Sequence, residues 1–193
     1  MKRVVFCGVG ALGSNAVVAC RNLDAALVLI DFDRVESKNC LSQAFVKPSV
    51  GKNKADALKL QLSNFWGVKA EAFGVRVDES NVATLCGSAD LVVDAFDNAK
   101  SRRLLSAWAE SAGKPLVHAA VSADGTLGLV RWDARFVADE EPAAGAATCE
   151  GGEHLPLLAV VAATLARAVQ DFVARGVRRD AMIALSGVTT TSE

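Results

Sequence analysis

With 193 residues, 51% of them hydrophobic, the chain has apolar material enough for one domain with its own core. A formal net charge of −1 and the lack of any basic stripe argue against electrostatic attachment to nucleic acid. The five cysteines, Cys7, Cys20, Cys40, Cys86 and Cys149, form no C-x-x-C pair, which argues against structural zinc or a disulfide framework; free thiols suit a cytoplasmic protein.

Taken in order, a short β-branched run, Val4-Val5-Phe6-Cys7, meets Gly8-Val9-Gly10-Ala11-Leu12-Gly13, and Leu12, Ala16, Ala19 and Leu23 follow at helical spacing. The pattern predicts strand, glycine turn and helix, and a strand so near the start leaves no room for a signal peptide. Gly8 permits the tight turn, Gly10 a close approach of the backbone to a phosphate, and Gly13 close packing of helix on strand. The unpaired N–H groups of that helix then face an anion. Alone the turn is a weak signal: it favours a bound nucleotide, with a glycine turn in an α/β protein without a ligand as the plain alternative. Asp31, at the tip of the next apolar run Ala26-Leu27-Val28-Leu29-Ile30, strengthens it, because a carboxylate there holds ribose hydroxyls.

The polar segment from Asp31 to Gln43 and beyond exceeds the roughly two to six residues usual for such connections, which predicts a functional loop over the nucleotide. A helix is expected over 51–65, with Ala55, Leu58 and Leu62 inward and Lys52 and Lys54 in its first turn. Cations there oppose the helix dipole unless an anion lies close; two solvated lysines are the plain alternative. Residues 68–77 read as a third strand, 80–86 as a short helix, and Asp90-Leu91-Val92-Val93-Asp94 as a buried strand running to the polar tip Asp97-Asn98. In an open α/β sheet that tip is the ligand edge, which makes Asp97 a candidate magnesium ligand, with the N-cap of the helix over 99–112 as its other reading.

Leu116 to Ala120 reads as a further buried strand, and Asp124-Gly125 as a hairpin turn into 126–132. Residues 134–154 turn acidic, then small, as a mobile crossover segment would. The final helix, 155–175, is capped by Gly176. Its apolar stretch up to Ala166, cut by Arg167, falls short of the roughly 20 residues a membrane span needs and predicts a buried core helix. The tail, Thr189 to Glu193, is expected to be disordered. Neither repeat nor second domain is visible, so residues 1–193 read as one nucleotide-binding domain.

Together these motifs resemble the MoeB/ThiF/HesA superfamily, relatives of ubiquitin-activating enzymes, over residues 2–175. Asp31-Phe32-Asp33 with Val35, Asn39 and Gln43 matches that family's acidic loop, and Val50-Gly51-Lys52-Asn53-Lys54 its Val-Gly-x-x-Lys. Asp90 to Asp94 with Asp97-Asn98 matches its magnesium-site strand, and Lys114-Pro115-Leu116-Val117 the strand after. The resemblance implies a Rossmann-like, doubly wound, mostly parallel sheet with one or more antiparallel strands toward the C-terminal end. It implies an adenylyltransferase that uses ATP and Mg²⁺ on the C-terminal carboxylate, usually of Gly-Gly, of a ubiquitin-like or sulfur-carrier protein, often as a homodimer. Gly8, Gly10, Ala11, Leu12 and Gly13 would lie at the phosphates and Asp31 at the ribose, with Asp33, Asn39, Gln43 and Asn98 along the nucleotide. Lys54 would stabilise charge developing on phosphorus, Asp97 would hold Mg²⁺, and Cys149 would be a nucleophile toward the carrier, with His154 as its base or an ordinary loop histidine. His118 reads as a satisfied core residue.

Three departures from the family accompany these matches. Ser42 stands where an arginine is expected at the phosphates, a loss of about 10²–10³ in rate unless Lys38, Lys47 or Lys52 substitutes in part. The helices that usually precede the first strand, and the arginine a neighbouring subunit donates from them, have no counterpart, and the zinc cysteines are missing. Two other readings stay open: a non-catalytic ATP-binding partner subunit, and an NAD-dependent oxidoreductase, which shares the glycine turn and Asp31 but gives no role to Lys54 or Asp97-Asn98.

Overall fold

A computed structural model describes residues 1–122, 124–133, 154–184 and 187–191. Among them, β1 (Lys2–Cys7), β2 (Ala25–Ile30), β3 (Ala70–Phe73), β4 (Leu91–Asp94), β5 (Leu116–Val121), β6 (Leu127–Trp132), β7 (Asp180–Ala184) and β8 (Gly187–Thr191) join in one sheet, in the order β3-β2-β1-β4-β5-β6-β7-β8. The pairings from β3 to β5 are parallel and those from β5 to β8 antiparallel. This is the mostly parallel sheet with antiparallel C-terminal strands that the sequence predicts.

Alternate side chains of a strand point to opposite faces, so the apolar runs of β1, β2 and β4 feed two cores at once. Val4, Phe6, Leu27, Leu29, Leu91 and Val93 pack on one face with α1 (Ala11–Ala19), α2 (Lys54–Trp66) and α5 (Leu155–Arg175). Val5, Cys7, Val28, Ile30 and Val92 pack on the other with α3 (Val82–Cys86) and α4 (Ala99–Ser111). Cys7 is in register with both Ile30 and Asp94, so the residues that follow these three strands emerge together at one edge of the sheet.

Four expectations change. The third strand is four residues long, Ala70–Phe73, and Gly74 after it packs so closely on Asn53 that a Cβ there would lie 3.0 Å from its side chain. Helix α2 begins at Lys54, not Gly51: Asn53 is its N-cap, accepting the Asp56 N–H at 3.1 Å, and exposed Lys52 stays in the loop. Helix α5 runs through Arg167 for 21 residues, so by length and composition it does reach what a membrane span needs. Its Leu157, Leu158, Val161, Leu165, Val169 and Phe172 are nevertheless buried, in contact with α1 and β5 to β7. The expected disordered tail contributes β8, paired with β7 from Gly187 to Thr191, where its β-branched run suits a strand. Residues 134–153 of the crossover segment, with Cys149, lie outside the described residues.

Candidate functional site

The glycine turn is shaped by two demands. Gly8 has φ +87°, and a Cβ there would meet the Ala95 carbonyl oxygen at 2.8 Å; one at Gly13 would run into the Gly8 carbonyl. Both glycines therefore serve the packing of the turn against α1 and the end of β4. A Cβ at Gly10 meets no protein atom within 4 Å, so its backbone is left bare toward a cavity of about 170 Å³. Gly8, Gly10, Ala11 and Leu12 line that cavity with Asp31, Phe32 and Asp33 beyond β2, Gln43 and Lys54 behind them, Ala95 to Asn98 beyond β4, Arg102 of α4, and Val121 at the end of β5. It lies where strand order turns away from β1 on either side, the usual ligand crevice of such sheets.

On the β2 side, buried Asp31 accepts the Val9 N–H at 2.8 Å and the Asp33 N–H at 2.9 Å, tying the loop to the glycine turn. Burial pushes its carboxyl above the usual carboxylate range, against the opposing pull of those two N–H groups and of Lys54. Asn53 Nδ2 donates to the carbonyls of Asp31 and Asp33 at 2.8 and 3.1 Å, and the Lys54 N–H donates to the Asp33 carbonyl at 2.8 Å. The start of α2 is thereby pinned to β2, and Lys54 Nζ stands 3.1 Å from Asp33 Oδ2.

The long loop is ordered by local polar contacts. Asn39 is buried in a short 3₁₀ turn (Ser37–Leu41), where its Oδ1 accepts the Glu36 N–H at 2.8 Å, and it stands outside the cavity lining. Ser14 Oγ donates to the Gly10 carbonyl and accepts the Ala44 N–H, and Asn15 Nδ2 donates to the Ser42 carbonyl, which holds the loop on α1. Ser42 Oγ and Gln43 Oε1 are buried without a hydrogen-bond partner among the described residues; Gln43 lines the cavity and Ser42 does not. Lys38, Lys47 and Lys52 are exposed and also stay off the lining.

On the β4 side, Asp94 is fully buried: Oδ1 accepts the Phe96 N–H at 3.0 Å, and Oδ2 lies 2.7 Å from His118 Nδ1 and 3.7 Å from Arg102 Nη1. His118 is a core residue with a partner, as the sequence suggests. The helix cap differs from expectation: Asn98, not Asp97, is the N-cap of α4, accepting the Ser101 N–H at 2.9 Å, because one more extended residue precedes the helix. Asp97 is left exposed at the cavity, with Asn98 Nδ2 donating to its Oδ1 at 3.3 Å. Arg102, absent from the sequence-derived site, was legible as a cation on the apolar stripe Ala99, Leu105, Ala109. Among the described residues no group of three or more His, Cys, Asp or Glu gathers as a metal site. One open carboxylate fits Mg²⁺ arriving on a polyphosphate, since that ion takes one or two carboxylates and completes its shell with phosphate and water.

Comparison with known proteins adds to this geometry. The model of the ThiF family matches residues 1–175. The chain is 36% identical over 122 residues to the SAMP-activating enzyme E1 of Haloferax volcanii and 36% identical over 124 residues to the sulfur carrier protein adenylyltransferase of Thermus thermophilus. Those matches cover 62% and 61% of this chain but 45% of each relative, so the chain aligns with less than half the length of either. Against the molybdopterin-synthase adenylyltransferase of Escherichia coli it is 28% identical over 173 residues, 82% of this chain and 68% of that one. In fold it resembles E. coli MccB with MccA-N7isoASN, at a TM-score of 0.80 and 18% identity over all of this chain and 64% of that one. It likewise resembles MccB with ATP, at 0.76 and 19%, over all of this chain and 63% of that one.

Proposed function

Because the chain belongs to the ThiF family, we propose that it is an ATP-dependent adenylyltransferase acting on the C-terminal carboxylate of a sulfur-carrier or ubiquitin-like protein. The observation that carries this reading is that Lys54 and Asp97, far apart in sequence and on opposite sides of the glycine turn, line the same cavity as Gly8 and Gly10. In the reaction a carboxylate oxygen attacks the α-phosphorus, the bond to pyrophosphate breaks, and an acyl-adenylate forms. That exchange needs fixed positive charge more than covalent help from the protein. Asp31 would hold the ribose with the lone pairs its two N–H partners leave. The bare backbone at Gly10 and the start of α1 would take the phosphates, and Lys54 would meet the charge developing on phosphorus. Asp97 would hold Mg²⁺, which neutralises the leaving pyrophosphate when bound. Cys149 would then be a nucleophile toward the carrier: its thiolate would attack the acyl-adenylate carbonyl, forming a thioester and releasing AMP.

One observation favours a second reading, a nucleotide-binding partner without activity: Ser42, in the place of an arginine, lies buried and away from the cavity. Incorporation of labelled pyrophosphate into ATP, with a small protein ending in Gly-Gly from the same genome, separates the two. Exchange that requires the carrier supports the adenylyltransferase; ATP binding without exchange supports the silent partner. Preferential binding of NAD over ATP would overturn both.

A further inference from the structure

Asp94, His118 and Arg102 form a polar cluster in the middle of the sheet, with Asp94 and His118 fully buried. A buried ion cluster stabilises a fold little, and packed apolar residues of the same size would do as well or better, so stability does not account for it. Its placement does. Asp94 is the last residue of β4, and its Oδ1 accepts the Phe96 N–H within the turn that carries Asp97 and Asn98 into the cavity. Its Oδ2 faces His118 Nδ1 of β5 at 2.7 Å and the guanidinium of Arg102, whose Nη2 donates to the Ala119 carbonyl at 2.9 Å and which lines the cavity. One carboxylate thus orients both the turn and the arginine.

We propose that His118 is a positioning residue: through Asp94 it sets the 95–98 turn and Arg102 so that this side of the crevice grips the polyphosphate end of a nucleotide. The proposal rests on the nucleotide-binding reading above. Asp31 takes the nucleoside end beside β2, the glycine turn follows β1, and β4 lies on the far side of β1 from β2, so the phosphates run toward Asp97 and Arg102. Arg102 supplies on this side a planar guanidinium of the kind that the Ser42 position lacks.

Calorimetric titration of the full chain with ATP and with AMP, each with Mg²⁺, tests the proposal without any carrier protein. His118→Ala should weaken ATP binding about tenfold while leaving AMP within about twofold, since a hydrogen bond to a charged group is lost on the polyphosphate side alone. His118→Asn, which keeps a donor toward Asp94, should restore ATP binding. Should His118→Ala not fold, Arg102→Lys, keeping the charge without the fork, should show the same selective loss. Equal weakening of ATP and AMP, or an asparagine variant as poor as the alanine one, overturns the proposal and leaves the nucleotide-binding reading intact. A wild-type chain that binds neither ligand overturns both.

Discussion

The two sides of the crevice handle charge in opposite ways. Beside β2 the cation is tucked in and its counter-ion is out: the Lys54 side chain is 8% exposed and its partner Asp33 45%. Beside β4 the supporting pair, Asp94 and His118, is wholly enclosed, while Asp97 is exposed, with Asn98 Nδ2 at 3.3 Å from its Oδ1. The contrast is instructive. If Lys54 meets charge on a phosphate as proposed, the acid that holds it is one that water can screen and that can let it go. Asp97, proposed to accept a cation from solution, is left accessible, with the enclosed Asp94 and His118 beneath its turn.

The largest effect that would sharpen this contrast is at Lys54. Lys54→Ala should lower carrier-dependent pyrophosphate exchange by about 10²–10³ with the fold retained, since a cation at a helix start does not stabilise the helix. Unchanged exchange would break the assignment. Next in size is a pair of glycine variants between the two sides. Gly13→Ala, crowding the Gly8 carbonyl, should cost about 1–3 kcal/mol in urea unfolding. Gly10→Ala should leave stability within about 0.5 kcal/mol and still weaken ATP binding, because its methyl group meets ligand rather than protein. Asp33→Asn should reduce exchange only about two- to fivefold, as befits a half-exposed ion pair. A loss as large as that of Lys54→Ala would mean that Asp33 itself touches the nucleotide.

The smallest effect lies beyond the β4 side, on the hairpin joining β5 and β6. There the Asp124 carboxyl accepts from Ser122 Oγ at 2.6 Å and from Thr126 Oγ1 and N–H at 2.8 and 3.1 Å, which lowers its pKa from 3.8 to about 2. A folded pKa below the unfolded one contributes stability that is complete above the unfolded value and lost as pH falls through the folded one. The Tm difference between wild type and Asp124→Ala should therefore hold at neutral pH and close between about pH 4 and about pH 2.

Much of this was legible in the sequence, for identifiable reasons. The glycine turn, Asp31 and the apolar runs of β1, β2, β4 and β5 are local signals, and their register brings Gly8, Asp31 and Ala95 level at one edge. Lys54 was legible as a cation where a helix start disfavours one. The stripe of α4 marks Arg102 as a buried cation but does not say what it faces, since Asp94 sits on a strand whose apolarity hides the role of its last residue. The alternative reading of Asp97 as the cap falls one residue short, because Asp97 and Asn98 are equally good caps and only the backbone decides between them. Asn39, placed along the nucleotide by the resemblance, closes the 3₁₀ turn with its side chain and stands off the cavity lining. The end of the sheet is not legible locally, because a threonine run looks like a polar tail until β7 offers it an edge.

The central strand has one further consequence. Val4 and Phe6 belong to one hydrophobic core and Val5 and Cys7 to the other, so the turn after β1 is where the two halves of the interior meet. A molecule seated there would act as a rivet through both layers: whatever loosens either one must first release it. Its occupancy would then appear as a later and steeper melting of the whole domain, growing with the logarithm of ligand concentration, rather than as a local stiffening of the loops around it.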